Sequence, residues 1–501
     1  MSESERYDVC VIGGGPGGSA AASFVAMRGH RVLLVEKEPF PVYKIGESLL
    51  PSTVHGICGM LGLSEELKSQ NFMRKLGGTF RWGKNKEPWT FAFAESSRFP
   101  GPTSYAYQVE RIKFDMLLLN NAKRKGVEVR ERHAVQDLLF DDGRVSGVRL
   151  LDNNGKERLI RTKYVIDASG HASRIAHYAG ERIYSKFFRN LSVFTYFDNG
   201  IRMPAPNTGN ILCAAFDKGW FWYIPLTQTL TSVGAVVGEE HASIFHQGHE
   251  AALVQLIKEC PPVQNLLRNA TRSTHAPYDE IRIRKDYSYC HASFWRPGLA
   301  VIGDAACFVD PVFSSGVHLA TYAGLLAARS INSRLANQLT DEIVFKEFEA
   351  RYRREYKLFY DFLSAFYDLD QDLESYFWTA RIMTRSQEQG SFAFVNLVGG
   401  DASGELMRRS VPETGTCPVN GNRLFPAAAG LASNMFVESG NQSTERKRFM
   451  TDLNSEGFQL QMRAMFKNSA PPEVPLFKNG LVSSADGLEW MQPAALAAAR
   501  A

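Results

Sequence analysis

With 501 residues, 44% of them hydrophobic and 22% charged, the chain is long enough to bury a large core and to divide into two or three domains. A net charge of +4 with no basic tract implies neither nucleic acid nor an acidic membrane surface as a partner. Seven scattered cysteines without Cys-x-x-Cys spacing predict a reducing cytoplasm and no metal site, and the lack of a basic head or a membrane-length apolar run speaks against export and anchoring.

Tyr7 to Ile12 reads as a parallel strand, followed by Gly13-Gly14-Gly15-Pro16-Gly17-Gly18 and a small-residue helix from Ser19 to Arg28. A second strand, Arg31 to Val35, ends at Glu36, 23 residues after Gly13 and suited to a ribose hydroxyl. Strand, glycine turn, helix, strand and acid together make a dinucleotide fingerprint, and the acid favours an unphosphorylated adenosine ribose. FAD and NAD are equally compatible with it. Tyr164 to Asp167 is a further apolar strand, running into Asp167-Ala168-Ser169-Gly170 with Ser173-Arg174 behind.

Asn190 to Phe197 and Thr231 to Val237 alternate as half-buried strands do. Between them, Gly219 to Pro225 carries Trp220, Trp222 and Ile224 on one face, which a core strand alone would explain. Leu299 to Ile302 then leads into Gly303-Asp304: the glycine allows close approach and the carboxylate accepts hydroxyl hydrogen bonds, as a flavin's ribityl chain requires. Ser314-Ser315-Gly316 opens a helical segment whose first amides lack partners and attract an anion. Gly324 to Asn337 reads as an alanine-rich helix and Asp341 to Phe366 as an amphipathic one, whose aromatic repeat Tyr352, Tyr356, Phe359, Phe362 and Phe366 predicts core. From 389 onward, Gly399-Gly400, Asn420-Gly421 and the alanine runs at 427–429 and 494–499 predict short helices joined by loops.

The three stretches around Gly13, Asp167 and Asp304, in this order, resemble the fingerprints of the FAD-dependent aromatic hydroxylase fold, and Arg111 matches the arginine that fold places beside the flavin. The resemblance implies an α/β (α+β) architecture of the p-hydroxybenzoate hydroxylase, or GR2, type. In it a doubly wound FAD domain carries an antiparallel substrate-side sheet, mainly over 80–110 and 185–290, and a helical C-terminal region follows. Residues 1–380 would form the FAD-binding core and 381–501 the C-terminal region. Gly13, Gly14, Gly15, Gly17, Gly18, Glu36, Arg111, Asp304 and Val317 would hold the cofactor.

Two motifs narrow the family: W-x-W-x-I-P at Trp220 to Pro225, and F-x-x-P-x-x-S-x-G at Phe308, Pro311, Ser314 and Gly316. Both resemble signatures of the flavin-dependent halogenases. Gly46-Glu47-Ser48-Leu49-Leu50-Pro51 looks like that family's flavin-side strap, which adds Glu47 to the cofactor set, and Lys75 stands at the position of its active-site lysine. Without that context Lys75 would be read as an ordinary surface lysine. The subgroup most similar is typified by the chondrochloren halogenase, which acts on tyrosyl-type phenols and whose members are expected to take substrates tethered to a peptidyl carrier protein.

What the resemblance implies is FADH2 and O2 giving a flavin hydroperoxide, chloride near Ser315 and Gly316 leaving as hypochlorous acid, and Trp220 and Trp222 walling the flavin from the substrate. Lys75 would polarise the oxidant by a hydrogen bond or, as a neutral amine, form a chloramine. A separate flavin reductase would supply FADH2. In related tryptophan halogenases a glutamate precedes the first serine of the halide motif; here Phe313 stands there, so either the ring carries its own activating oxygen and reacts ortho to it, or a base elsewhere in the chain takes the proton. A one-component aromatic hydroxylase, or a flavin reductase or related flavin oxidoreductase, shares the FAD fingerprints but not the lysine and tryptophan motifs. A non-catalytic flavin-binding or carrier-docking protein would have no use for the halide motif.

Overall fold

In the computed structural model, residues 5–85, 87–96, 98–99, 101–336, 339–384, 389–407 and 475–493 are described. The apolar runs predicted as strands build a parallel layer in the order Leu299–Val301, Glu157–Asp167, Glu5–Ile12, Val32–Glu36, and the polar strand Glu128–Glu131, which the sequence reading does not anticipate, adds to it beside Val32–Glu36. The inner strands are apolar and buried, as a parallel sheet covered on both faces requires. Helix Pro16–Ala26 leaves the first strand at the glycine turn and lies against the long helix Ser315–Leu335. The two approach closely because both are glycine at the crossing: a Cβ on Gly324 would sit 2.7 Å from the Gly17 carbonyl oxygen.

A second, nine-stranded sheet takes the order Cys307–Phe308, Arg282–His291, Arg182–Asp198, Leu230–Gly238, Gly219–Pro225, Ile211–Phe216, Gly77–Arg81, Trp89–Ala92, with Thr271–Arg272 attached to Arg182–Asp198. The expected strands at 190–197 and 231–237 lie inside longer ones that pair antiparallel from Asn190 opposite Gly238 to Asp198 opposite Leu230. The sheet is antiparallel except where Ile211–Phe216 runs parallel to Gly77–Arg81, which places the 75–80 region beside the tryptophan strand. One face carries Phe80, Cys213, Trp220 and Trp222 into the main core; the other carries Leu212, Phe221, Tyr223 and Val233 against Leu253 and Leu256 of helix His249–Lys258.

The helix predicted at 324–337 is the later part of the single helix Ser315–Leu335. Helix Asp341–Phe366 forms as the sequence reads, and Tyr352, Tyr356, Phe359, Phe362 and Phe366 are all buried core. Short helices Leu373–Thr384 and Gly390–Val398 follow. A hairpin joining Val482–Ser483 to Trp490–Met491 packs on the long helix, with Trp490 Nε1 donating to Ser330 Oγ at 2.8 Å. The turn read at Asn420-Gly421 and the alanine runs at 427–429 and 494–499 fall outside the described residues. Among those described, no helix is long and apolar enough to cross a membrane.

Candidate active site

Gly13 takes φ +101°, and a Cβ there would lie 2.5 Å from the Ala168 carbonyl oxygen, so only glycine lets the first and second fingerprints touch. Gly15 caps helix Pro16–Ala26, and a Cβ added to it would meet no atom within 4 Å: the space in front of these helix amides is open. Glu36 is held at its strand end by the Gly14 and Glu38 amides, at 2.8 and 3.0 Å. Asp167 is spent internally, accepting from the Ser169 amide and hydroxyl and from Ser173. Asp304 lies in the turn Gly303–Ala305, where its charge acts on Arg111. Open space before a helix start, a glycine cradle and carboxylates at 36 and 304 make a donor set that fits FAD.

Arg111 is buried, paired with Asp115 at 2.7 Å, and donates to the carbonyls of Ile45 and Gly46 at 2.6 and 3.2 Å. It thereby ties helix Arg111–Arg124, which it begins, to the strap. Beyond it Glu47 to Leu49 runs antiparallel to Tyr107–Val109: the Val109 amide donates to Glu47, the Leu49 amide to Tyr107, and Ser48 bridges Gln108. Met73–Lys75 pairs with Ala106–Gln108, Lys75 opposite Ala106, and the lysine turns back to the strap. Its Nζ donates to Ser48 Oγ at 2.9 Å and to the Leu49 carbonyl at 3.2 Å, with the Phe93 ring 5.6 Å away. At 3% exposure it is no surface lysine, and burial lowers its pKa to about 7.

Glu47 is as deeply placed. Burial raises its pKa to about 7, against the pull of Tyr196, Ser232 and Arg111. Its Oε1 accepts from Tyr196 at 2.6 Å, and Tyr196 meets Tyr43 at 2.6 Å. Oε2 has no partner of hydrogen-bonding geometry, although the Ser232 hydroxyl favours its charge. Sequence reasoning missed both tyrosines, because 149 positions separate Tyr196 from Glu47.

Ser314 caps the long helix in the left-handed region, φ +57° and ψ +29°, an uncommon place for a non-glycine residue. This turn presents the amides of buried Ser315 and of Gly316, and a Cβ at Gly316 would meet nothing within 4 Å. Val317 lies in the same first turn. Next to it His318, also missed, is held by Ser52 Oγ and Glu355, each at 3.0 Å. The preceding loop is fixed through Asp310, which accepts from Asn190, Tyr367 and the Val312 amide. Trp220 Nε1 donates to the same Tyr367 hydroxyl at 2.8 Å, and Trp222 Nε1 to Ser232 at 3.2 Å, so both rings are pinned. Phe313 stacks on Phe362 and packs against Phe80, Phe366 and Phe394.

The chain has counterparts among known proteins. The tryptophan halogenase family matches residues 8–101 and 96–410. The chain belongs to the flavin-dependent halogenases. A tryptophan 2-halogenase of Chondromyces crocatus is 33% identical to this halogenase over 408 residues, covering 78% of the chain and 75% of the relative. Among solved structures, the myxobacterial chondrochloren halogenase CndH, described as a new variant of FAD-dependent halogenases, is 49% identical with a TM-score of 0.74, over 97% of this chain and all of that one. The flavin-dependent halogenase CmlS is 29% identical with a TM-score of 0.69, over 97% and 84% of the two chains. The GR2 fold of these FAD-dependent halogenases is thus that of this chain, and FAD is its cofactor.

Proposed function

We propose that this halogenase chlorinates an electron-rich phenol, a tyrosyl unit carried on a peptidyl carrier protein, at the carbon ortho to the hydroxyl. FAD, reduced by a separate reductase and supplied with O2, provides the oxidising equivalents that turn chloride into hypochlorous acid. The chain's own residues do the rest. The amides of Ser315 and Gly316, turned outward by Ser314, hold the chloride. Pinned Trp220 and Trp222 keep the substrate apart from the cofactor. Lys75 receives the oxidant, and its Nζ, anchored by Ser48 and the Leu49 carbonyl, either holds a proton towards the oxidant's oxygen or accepts chlorine as a free amine.

The observation that carries this reading is the buried amine at the strap, since a lysine at 3% exposure without a carboxylate partner has no evident structural use. The phenol rests on Phe313. Locked among Phe362, Phe366 and Phe394, position 313 supplies no base, and a phenol meets that lack with its own hydroxyl, whose free pKa is about 10. The Chondromyces relative's name favours tryptophan instead.

The test supplies reduced FAD, O2 and chloride with free tryptophan, free tyrosine, and carrier-bound tyrosyl and phenylalanyl groups, and looks by mass spectrometry for hydrogen replaced by chlorine. Only the carrier-bound tyrosyl group should be chlorinated efficiently, and Lys75→Ala should abolish product while retaining FAD. Chlorination of free tryptophan with the tethered tyrosyl group untouched overturns the substrate. Wild-type rates in Lys75→Ala overturn the role of the lysine.

A further inference from the structure

Two of the cysteines face each other. Strands Arg282–His291 and Cys307–Phe308 pair antiparallel, with Cys290 opposite Cys307 and Tyr289 opposite Phe308. One rung outward the His291 amide donates to the Ala306 carbonyl at 2.9 Å. Hydrogen-bonded and non-hydrogen-bonded rungs alternate, so Cys290 and Cys307 occupy a non-hydrogen-bonded rung, where the Cα atoms stand about 4.5 Å apart with both side chains on one face. That lies within the roughly 4.4–6.8 Å that a disulfide spans. Both are free thiols here.

The common face is that of helix Asp341–Phe366. Successive residues of the helix meet the two sulfurs: Tyr352 Oη lies 3.3 Å from Cys307 Sγ, and Arg353 Nη1 3.3 Å from Cys290 Sγ. The thiols differ in environment. Cys307 is buried, and desolvation holds its pKa well up; Cys290 is partly exposed, and although burial also raises its pKa, the Arg353 guanidinium favours its thiolate. Glu349, which pairs with Arg353, opposes that effect. Cys10 and Cys213 have no such neighbour: Cys10 stands opposite Val165 and Leu33, Cys213 opposite Trp222 and Phe80.

We propose that Cys290 and Cys307 are a redox modification site, a reversible dithiol that a peroxide or hypohalous acid closes to a cross-strand disulfide. With hydrogen peroxide, the Cys290 sulfur takes one oxygen and releases water, giving the sulfenic acid. The Cys307 thiol attacks that sulfur, the S–S bond forms, and the hydroxyl leaves with the thiol proton as a second water. Two thiols lose two electrons and one peroxide gains them; with hypochlorous acid the products are one water and HCl. The bridge would lock the edge strand that enters the Phe308–Gly316 motif to its neighbour Arg282–His291.

The test does not depend on halogenation, because the oxidant is added to the resting, full-length protein. Protein reduced with dithiothreitol, freed of it and treated with equimolar hydrogen peroxide is unfolded, alkylated and mapped without reduction. The expected product is a peptide pair joining Cys290 to Cys307, two hydrogens lighter than the separate peptides and absent after renewed dithiothreitol. Cys290→Ser should abolish it and leave Cys307 fully alkylated. Cys307→Ala should strand Cys290 as a sulfenic acid that dimedone captures. Both thiols alkylating in full after peroxide, oxidation of Cys290 to sulfinic acid with Cys307 still a thiol, or a disulfide between other cysteines would each overturn the assignment.

Discussion

An amine sealed inside a protein titrates against its own burial, and Lys75 sets the pH behaviour of the site. Its pKa of about 7 in the folded chain lies below an unfolded value of about 10.4, so between these limits the unfolded state binds the extra proton and stability rises with pH. At pH 7 the burden is about 4 kcal/mol. Lys75→Met should therefore melt higher than the parent at pH 6 to 7, by less than the full amount because Ser48 and the Leu49 carbonyl lose their donor. The gap should close towards pH 10; calorimetric melts at pH 6, 8 and 10 showing a gap that widens with pH would contradict it. The same titration separates the two chemical roles: a chloramine route speeds up as pH passes about 7, a hydrogen-bond route slows. Glu47 titrates in the same range, with its pKa raised, so the profile is to be measured in Glu47→Gln as well. The sequence singles out Lys75 as a candidate by its place after the strap. Its partners were not legible there, because the strap and Met73–Lys75 are brought side by side by a third strand, Ala106–Gln108, which no local pattern announces.

At the scale of elements, the long helix begins with the turn proposed to hold chloride, and its cap is the strained part. Ser314 in the left-handed region costs roughly 1–2 kcal/mol relative to a relaxed residue. Ser314→Gly should leave stability equal or higher, while Ser314→Val should lower it by about that cost or more and raise the chloride requirement, as melts and chloride titrations of the rate would show. Gly316 gives a sharper contrast. Nothing lies within 4 Å of a Cβ there, so Gly316→Val should melt like the parent, yet lose chlorination if the open space belongs to halide and cofactor. A variant that melts normally and keeps its chloride dependence would move the anion elsewhere. The sequence showed strand, turn and helix start in this region but broke the helix at Gly324. A glycine there imitates a boundary; its use is contact, since it lets the Gly17 backbone press against the helix. Likewise the parallel pairing of Ile211–Phe216 with Gly77–Arg81 joins segments about 130 residues apart, and no local pattern announces such a partner.

Across the whole molecule, the long helix is gripped at both ends. Its start meets the strap through Ser52 and His318, and its later turns are clasped by residues 475–493, which the sequence reading took for loops and short helices. The clasp is illegible in the sequence because its strands are two residues each and its partners lie 156 to 160 positions away: Trp490 bonds Ser330 and Ser333, Arg329 donates to the Gly487 carbonyl at 2.7 Å, and Asn332 to the Leu488 carbonyl at 3.0 Å. By contrast, the helix Asp341–Phe366 was plain, since its aromatic spacing is local. Trp490 is fully buried against Arg329 and Arg351, and Trp490→Ala should cost about 3–5 kcal/mol by cavity formation and by leaving the Ser330 hydroxyl without its donor. Ser330 lies fifteen residues beyond Ser315, about 22 Å along the helix, so the loss should be one of stability alone. The variant should melt markedly lower while binding FAD, well below its melting temperature, as tightly as the parent. If FAD affinity fell in step with the melting temperature, the clasp would be part of what holds the fingerprints in register, through the contact of the long helix with Pro16–Ala26.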